Sequence, residues 1–146
     1  MEIVLARFEH LEEVSNLFDQ YRVFYKQSSD LEAATKFIQE RFQKKDSTLL
    51  IASDDGYVVG FTQLYSSFSS VSMKPVWILN DLFVEETCRG KGVAKLLMST
   101  AENFARETGA VRIILATQIS NIAAQSLYES LGYSKDEGFY HYALRL

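Results

Sequence analysis

The stretch from Val76 to Thr117 constrains the fold more than any other part of the chain. An apolar run, VWILNDLFV (Val76–Val84), leads into a glycine-containing turn and then into a helical pattern over about residues 91–107. Gly109 and a second apolar run, VRIILAT (Val111–Thr117), follow. Two strands joined through a helix pair in parallel when they are neighbours in one sheet, because the crossover returns the chain to the end where the first strand began. The segment upstream predicts the opposite pairing. TLLIAS, Asp54-Asp55-Gly56 and YVVGFTQLY read as strand, tight turn and strand of a hairpin, and the serine-rich Ser66–Ser72 reads as the connection to the strand at Val76. The expected fold is therefore α/β, with a mixed, mainly antiparallel sheet and one central parallel pair.

The remaining elements follow from period and punctuation. Ile3, Leu5 and Phe8 open the chain with strand character. Residues 9–26 change to helical spacing through Leu11, Val14, Leu17, Phe18 and Tyr21. A second helix begins at the cap Asp30, repeats Ala33, Ala34, Phe37, Ile38 and Phe42, and stops near Lys44-Lys45. A last helix over about residues 121–131 ends at Gly132, and Phe139–Leu146 reads as a closing strand. No repeat, linker or low-complexity segment divides the chain, so residues 1–146 are expected to form one domain.

Composition excludes several classes of function. Of 146 residues, 47% are hydrophobic and the formal charge is −4, which suits an ordered protein without a basic face for nucleic acid. The lone cysteine, Cys88, cannot close an intramolecular disulfide and fits a reducing compartment. Met1–Phe8 carries Glu2 and Arg7 in place of a signal peptide's apolar run, and no stretch has the length of a membrane span. A cytoplasmic protein is expected, without membrane partners. His10 and His141 stand apart in sequence, and no metal is implied.

The chemistry starts at RGKGVA, Arg89–Ala94, where the strand runs into the long helix. The first N–H groups of a helix lack intrahelical partners and lie at the positive end of its dipole. Gly90 and Gly92 permit left-handed backbone angles and close approach of a diphosphate, while Arg89 and Lys91 add positive charge. A dinucleotide fingerprint needs glycine or alanine where Lys95 stands, and a Walker loop needs a Gly-Lys-Ser/Thr string that is absent.

The turn instead resembles the acetyl-CoA loop of the GNAT superfamily of N-acetyltransferases, Arg/Gln-x-x-Gly-x-Gly/Ala, through Arg89, Gly92 and Ala94. The resemblance continues in NIAAQSLYESLGY through Asn121, Ala124, Leu127, Tyr128, Leu131, Gly132 and Tyr133. It implies acetyl-CoA as acyl donor, held by Arg89, Gly90, Lys91, Gly92, Val93 and Ala94 and by the backbone of Leu82, Phe83 and Val84. That strand is expected to carry a bulge and to splay from its parallel neighbour, with helices on both sheet faces. Asn121 is implied to bond the pantetheine arm, and Tyr128 to serve the leaving thiolate, as a phenol within hydrogen-bond reach can.

For the proton of the attacking amine the resemblance points to Asp81, with Glu85 as a weaker candidate. Polyamine acetyltransferases of the superfamily look similar around LNDLFV, but Asn80 stands where they place a glutamate. The acceptor is implied to enter near Tyr21, Phe24 and Tyr25, which are expected to bind it together with Asn80; Arg22 or Lys26 would pair a substrate carboxylate. A small-molecule amine, a polyamine-like compound or an amino acid, is the expected acceptor. A protein lysine or N-terminus is the alternative, and an acyl-CoA-binding module without turnover is the alternative outside enzymes. The resemblance implies a homodimer formed through the closing strands, and FYHYALRL is apolar enough to take part.

Overall fold

A computed structural model describes residues 1–146, which divide into two units, Met1–Leu115 and Ala116–Leu146. In the first unit, strands β1 (Glu2–Leu5), β2 (Thr48–Asp54), β3 (Tyr57–Ser69), β4 (Lys74–Val84) and β5 (Ile113–Ile114) form a five-stranded sheet in sequence order. Pairing is antiparallel from β1 to β4 and parallel between β4 and β5, as the sequence predicts. The hairpin turns at Asp55-Gly56, both at positive φ. The serine-rich link is shorter than expected, because Ser66–Ser69 continues β3 opposite Lys74–Trp77.

Helices α1 (Leu11–Phe24) and α2 (Leu31–Lys44) cover one face. Val14, Leu17, Phe18, Ala34 and Ile38 pack against Leu49, Ile51, Phe61 and Phe83, with Phe18 stacked on Phe37 at 5.4 Å. Alternation along β2 sends Leu50 and Ala52 to the opposite face, the side of helix α3 (Val93–Glu107). That helix buries Val93, Leu97, Met98, Ala101 and Ala105. Its closeness to the sheet requires Gly60, where a Cβ would lie 3.0 Å from the Phe83 carbonyl and 3.3 Å from Leu97 Cδ1. At its far end Trp77 packs on Phe104 and donates from Nε1 to Thr108 Oγ1 at 2.8 Å.

In the second unit, α4 (Ile122–Ser130) is capped by Asn121, whose Oδ1 accepts from the Ala124 N–H at 3.1 Å. Gly132 follows the helix at φ 95°. Within this unit the segment Phe139–Leu146, expected as a closing strand, has no ladder partner, and a strand exists only by exchanging backbone bonds with a neighbour. Its alternating apolar pattern signals the capacity to pair, not a partner.

The two helices before the sheet are joined by one side chain. Asp19 on α1 accepts from Ser29 Oγ at 2.6 Å and from the Asp30 N–H at 2.8 Å, fixing the residue that caps α2. These bonds, that of Ser29 foremost, hold the Asp19 carboxyl below its ordinary range. Its contribution to stability is therefore present at neutral pH and lost as pH falls through the depressed value. Asp19→Ala is expected to lose about 1 kcal/mol in urea titration at pH 7, with the gap to wild type closing in acid. A gap that stays constant down to pH 2 contradicts this account.

Candidate functional site

The sheet carries its irregularity in the middle of β4. Gln63 pairs with Asp81 while Leu64 pairs with Leu79, so Asn80 is the extra residue of a β-bulge. Bonding to β5 starts near Val111, whose N–H donates to the Pro75 carbonyl, and ends where Ile78 faces Ile114. The second strand of the parallel pair is thus shorter than VRIILAT suggested. Leu79–Val84 keeps its ladder to β3 and has none to β5. The backbone of Leu82, Phe83 and Val84 on the side away from β3 is therefore an open edge, the geometry in which an extended ligand bearing amides can bond as an added strand.

Buried polar groups collect at the bulge. Thr62, Gln63 and Asp81 are three of the four buried polar residues in the chain. Burial without partners would be costly, and each has partners. Thr62 Oγ1 donates to the Asp81 carbonyl at 2.8 Å. Gln63 Nε2 donates to Asp81 Oδ2 at 3.2 Å, Asn80 Nδ2 donates to Oδ1 at 3.1 Å, and Ser47 Oγ donates to Gln63 Oε1 at 2.9 Å. Register places Asp81 and Phe83 on one face of β4, the face covered by α1 and α2. Tyr65, two residues beyond Gln63, has its phenol pushed up to about 12 by burial and by the charge of Asp81. It stays protonated at neutral pH.

Past Val84 a short 3-10 turn, Glu86–Cys88, brings the chain to the glycine turn. Gly90 and Gly92 have φ of 75° and 81°, and a Cβ on either would meet nothing within 4 Å. Backbone angle, not crowding by the protein, is what requires glycine here, and the space beside the turn is open. Gly92 is the N-cap of α3 and supplies no capping side chain, and the first turn of α3 contains no acidic residue. Unpaired N–H groups, the helix dipole, Lys91 and Lys95 together fit a diphosphate.

Arg89 has a further task. Its Nε donates to the Val84 carbonyl at 2.8 Å, and its guanidinium lies 5.5 Å from the Phe24 ring and 5.2 Å from that of Phe83. The glycine turn is thereby fastened to β4 and to α1. Tyr21 contacts Phe18, Phe61 and Phe83, with centroids about 6 Å apart, and Tyr25 packs edge-on to Tyr21 at 5.0 Å and to Phe24 at 5.3 Å. Tyr21 is chiefly a core contact, whereas Phe24 is half exposed.

In the second unit, Asn121 uses Oδ1 as a helix cap, and Tyr128 is half-buried with its ring 6.1 Å from that of Tyr133. Cys88 is a free thiol. No group of three His, Cys, Asp or Glu side chains is arranged to hold a metal ion, and no helix is long and apolar enough to cross a membrane.

The model of the acetyltransferase (GNAT) family matches residues 11–133. The chain belongs to this family. It is 46% identical to the uncharacterized N-acetyltransferase YhfO of Bacillus subtilis (strain 168), over 100% of this chain and 98% of that one. The D-amino-acid N-acetyltransferase HPA3 of Saccharomyces cerevisiae is 29% identical, over 86% of this chain and 80% of HPA3. A crystal structure of a probable acetyltransferase superposes with TM-score 0.96 at 44% identity, covering 100% of this chain and 98% of the other. The aminoglycoside N-acetyltransferase AAC(6')-Iy in complex with CoA shares the fold, with TM-score 0.82 at 24% identity. The chain is thus a GNAT acetyltransferase, with acetyl-CoA as its acyl donor.

Sequence reading missed Gln63, Ser47 and Tyr65. The available signal was Gln63 itself, an amide at an inward-facing position of an otherwise apolar strand. Arg89 was expected to serve an anion, and the structure shows it also tying the GNAT turn to the sheet. Arg89→Met is expected to cost about 1–2 kcal/mol in urea titration through loss of the Val84 bond and the ring contacts. Unchanged stability would show that these contacts add nothing in water.

Proposed function

We propose that this acetyltransferase transfers acetyl from acetyl-CoA to the primary amine of a small molecule, a polyamine-like amine or an amino acid, within a ternary complex. The observation that carries the reading is the buried carboxylate of Asp81. It sits beside the open edge of β4, on the sheet face that also bears Phe83 and the α1 aromatics. A positioned carboxylate is suited to take the proton that an ammonium must lose before it attacks. Phe24, Tyr25 and Asn80 would line the acceptor's approach, and the aromatic faces favour a cation. The activity named for HPA3 supports an amino acid among the candidates.

Each group has a separate part in the transfer. The turn Arg89–Ala94 holds the diphosphate at the α3 N-terminus, the backbone of Leu82–Val84 bonds the pantetheine amides, and Asn121 adds a contact to that arm. Asp81 receives a proton from the ammonium, which frees the lone pair that forms the N–C bond to acetyl. Tyr128 gives a proton to the sulfur as the C–S bond breaks and recovers one from the acylated nitrogen. Orientation supplies most of the acceleration in such a reaction. We further assign the protein to the cytoplasm and to a homodimer that uses the apolar segment Phe139–Leu146.

The test is thiol release from acetyl-CoA with polyamines, L- and D-amino acids, aminoglycosides, arylamines and lysine peptides. One class of small amine is expected to be turned over, with kcat reduced about 100-fold in Tyr128→Phe and in Asp81→Asn. Turnover of peptides alone would refute the small-molecule reading. For the turn, Gly92→Ala and Gly56→Ala impose similar backbone strain, since both glycines have positive φ in open space. Only Gly92→Ala is expected to weaken acetyl-CoA binding, by about tenfold or more in calorimetry; equal affinities would remove the diphosphate from this turn.

A further inference from the structure

The Asp81 carboxylate is held from below by an amide that has no other evident purpose. Gln63 is fully buried on the central strand β3, where an apolar side chain would be the ordinary occupant. It faces Asp81 in register, directly at the bulge. Its two polar ends are both committed: Oε1 accepts from Ser47 Oγ, which fixes which way the amide points, and Nε2 then donates to Asp81 Oδ2. Asn80 holds the other oxygen, and Thr62 holds the carbonyl of the same residue. Donors on both carboxylate oxygens remove a rotation that would turn the base away from a substrate.

We propose that Gln63 is a positioning residue for this acetyltransferase, orienting Asp81 through a relay from Ser47. The proposal rests on the reading of Asp81 as the acceptor of the amine proton. Gln63 touches no substrate and acts through Asp81 alone. The surrounding titratable and charged groups have separate places. Tyr65 lies on β3 beyond Gln63, while Arg41 of α2 is paired with Asp46 at 2.9 Å. From α1 come Tyr21 and Tyr25, the former in contact with Phe83. Tyr65 remains protonated throughout an assay range of pH 5 to 9, since its phenol is raised to about 12.

Gln63→Met keeps the volume and removes the donor, so the Asp81 carboxylate loses the bond that fixes its orientation. At neutral pH kcat is expected to fall about tenfold, while the KM for acetyl-CoA stays within about twofold. Ser47→Ala, which leaves Gln63 in place and frees its amide, is expected to lower kcat by a smaller factor, again with KM for acetyl-CoA unchanged. Wild-type kcat in both variants overturns the proposal, as does a fall in which KM for acetyl-CoA rises in proportion. If Gln63→Met does not fold, Ser47→Ala decides alone, and a wild-type kcat there overturns it. Asp81→Asn separates the two levels: full activity in that variant refutes Asp81 as the base, whereas its inactivity beside wild-type kcat in Gln63→Met and Ser47→Ala refutes only the role of Gln63.

Discussion

The structure depends on a limit of strand pairing: a β-strand has two edges, and each can serve one neighbour at a time. In β4 one edge is bonded to β3 along nearly its whole length, and the other is bonded to β5 only as far as Ile78. The bulge at Asn80 follows directly, and from there to Val84 the second edge is open. Such a length of unpaired strand inside a stable sheet is what the proposed binding of a long, amide-bearing acyl donor would use. Exposed edges otherwise invite aggregation, and a short one bounded by a bulge and a helix N-terminus limits that risk.

The same bulge explains why so much polarity is buried beside it. An extra residue shifts which side chains face which layer, so Asp81 opposes Gln63 on the face of α1 and α2, with Phe61 opposing Phe83 one step further along the sheet. Placing a carboxylate beside an aromatic core costs free energy unless its oxygens are bonded. Gln63, Asn80, Thr62 and Ser47 meet that requirement. The arrangement combines a dry environment, which strengthens electrostatic interactions, with donors already fixed around the carboxylate.

How much of this was legible in the sequence varied with the range of the forces involved. The glycine turn was readable because Gly90 and Gly92 answer to local backbone angles, and so were the caps at Asp30 and Asn121. Parallel pairing of β4 with β5 was readable because only a crossover connects them. The extent of that pairing was not, since the stopping point at Ile78 is a property of two strands and a bulge is counted only against a partner. The partner of the closing segment was not legible for the same reason. FYHYALRL has the alternation of a strand, and alternation says nothing about who supplies the other half of the ladder. Tyr21, Phe24 and Tyr25 could wall a pocket, but the spacing favoured helix–core contacts for at least two of them; Tyr21 falls to the core, through Phe18, Phe61 and Phe83.

Arg89 shows why a single motif position can carry more than one physical demand. A cation beside a helix N-terminus repels the positive end of the dipole when no anion is bound, so its position must be secured by other means. The Val84 carbonyl and the faces of Phe24 and Phe83 supply them. Because Phe24 belongs to α1 and Val84 ends β4, one side chain joins the glycine turn, the open strand edge and α1. A lysine could supply the same charge at this position, but not a planar group that bonds a carbonyl through one nitrogen while lying against two rings.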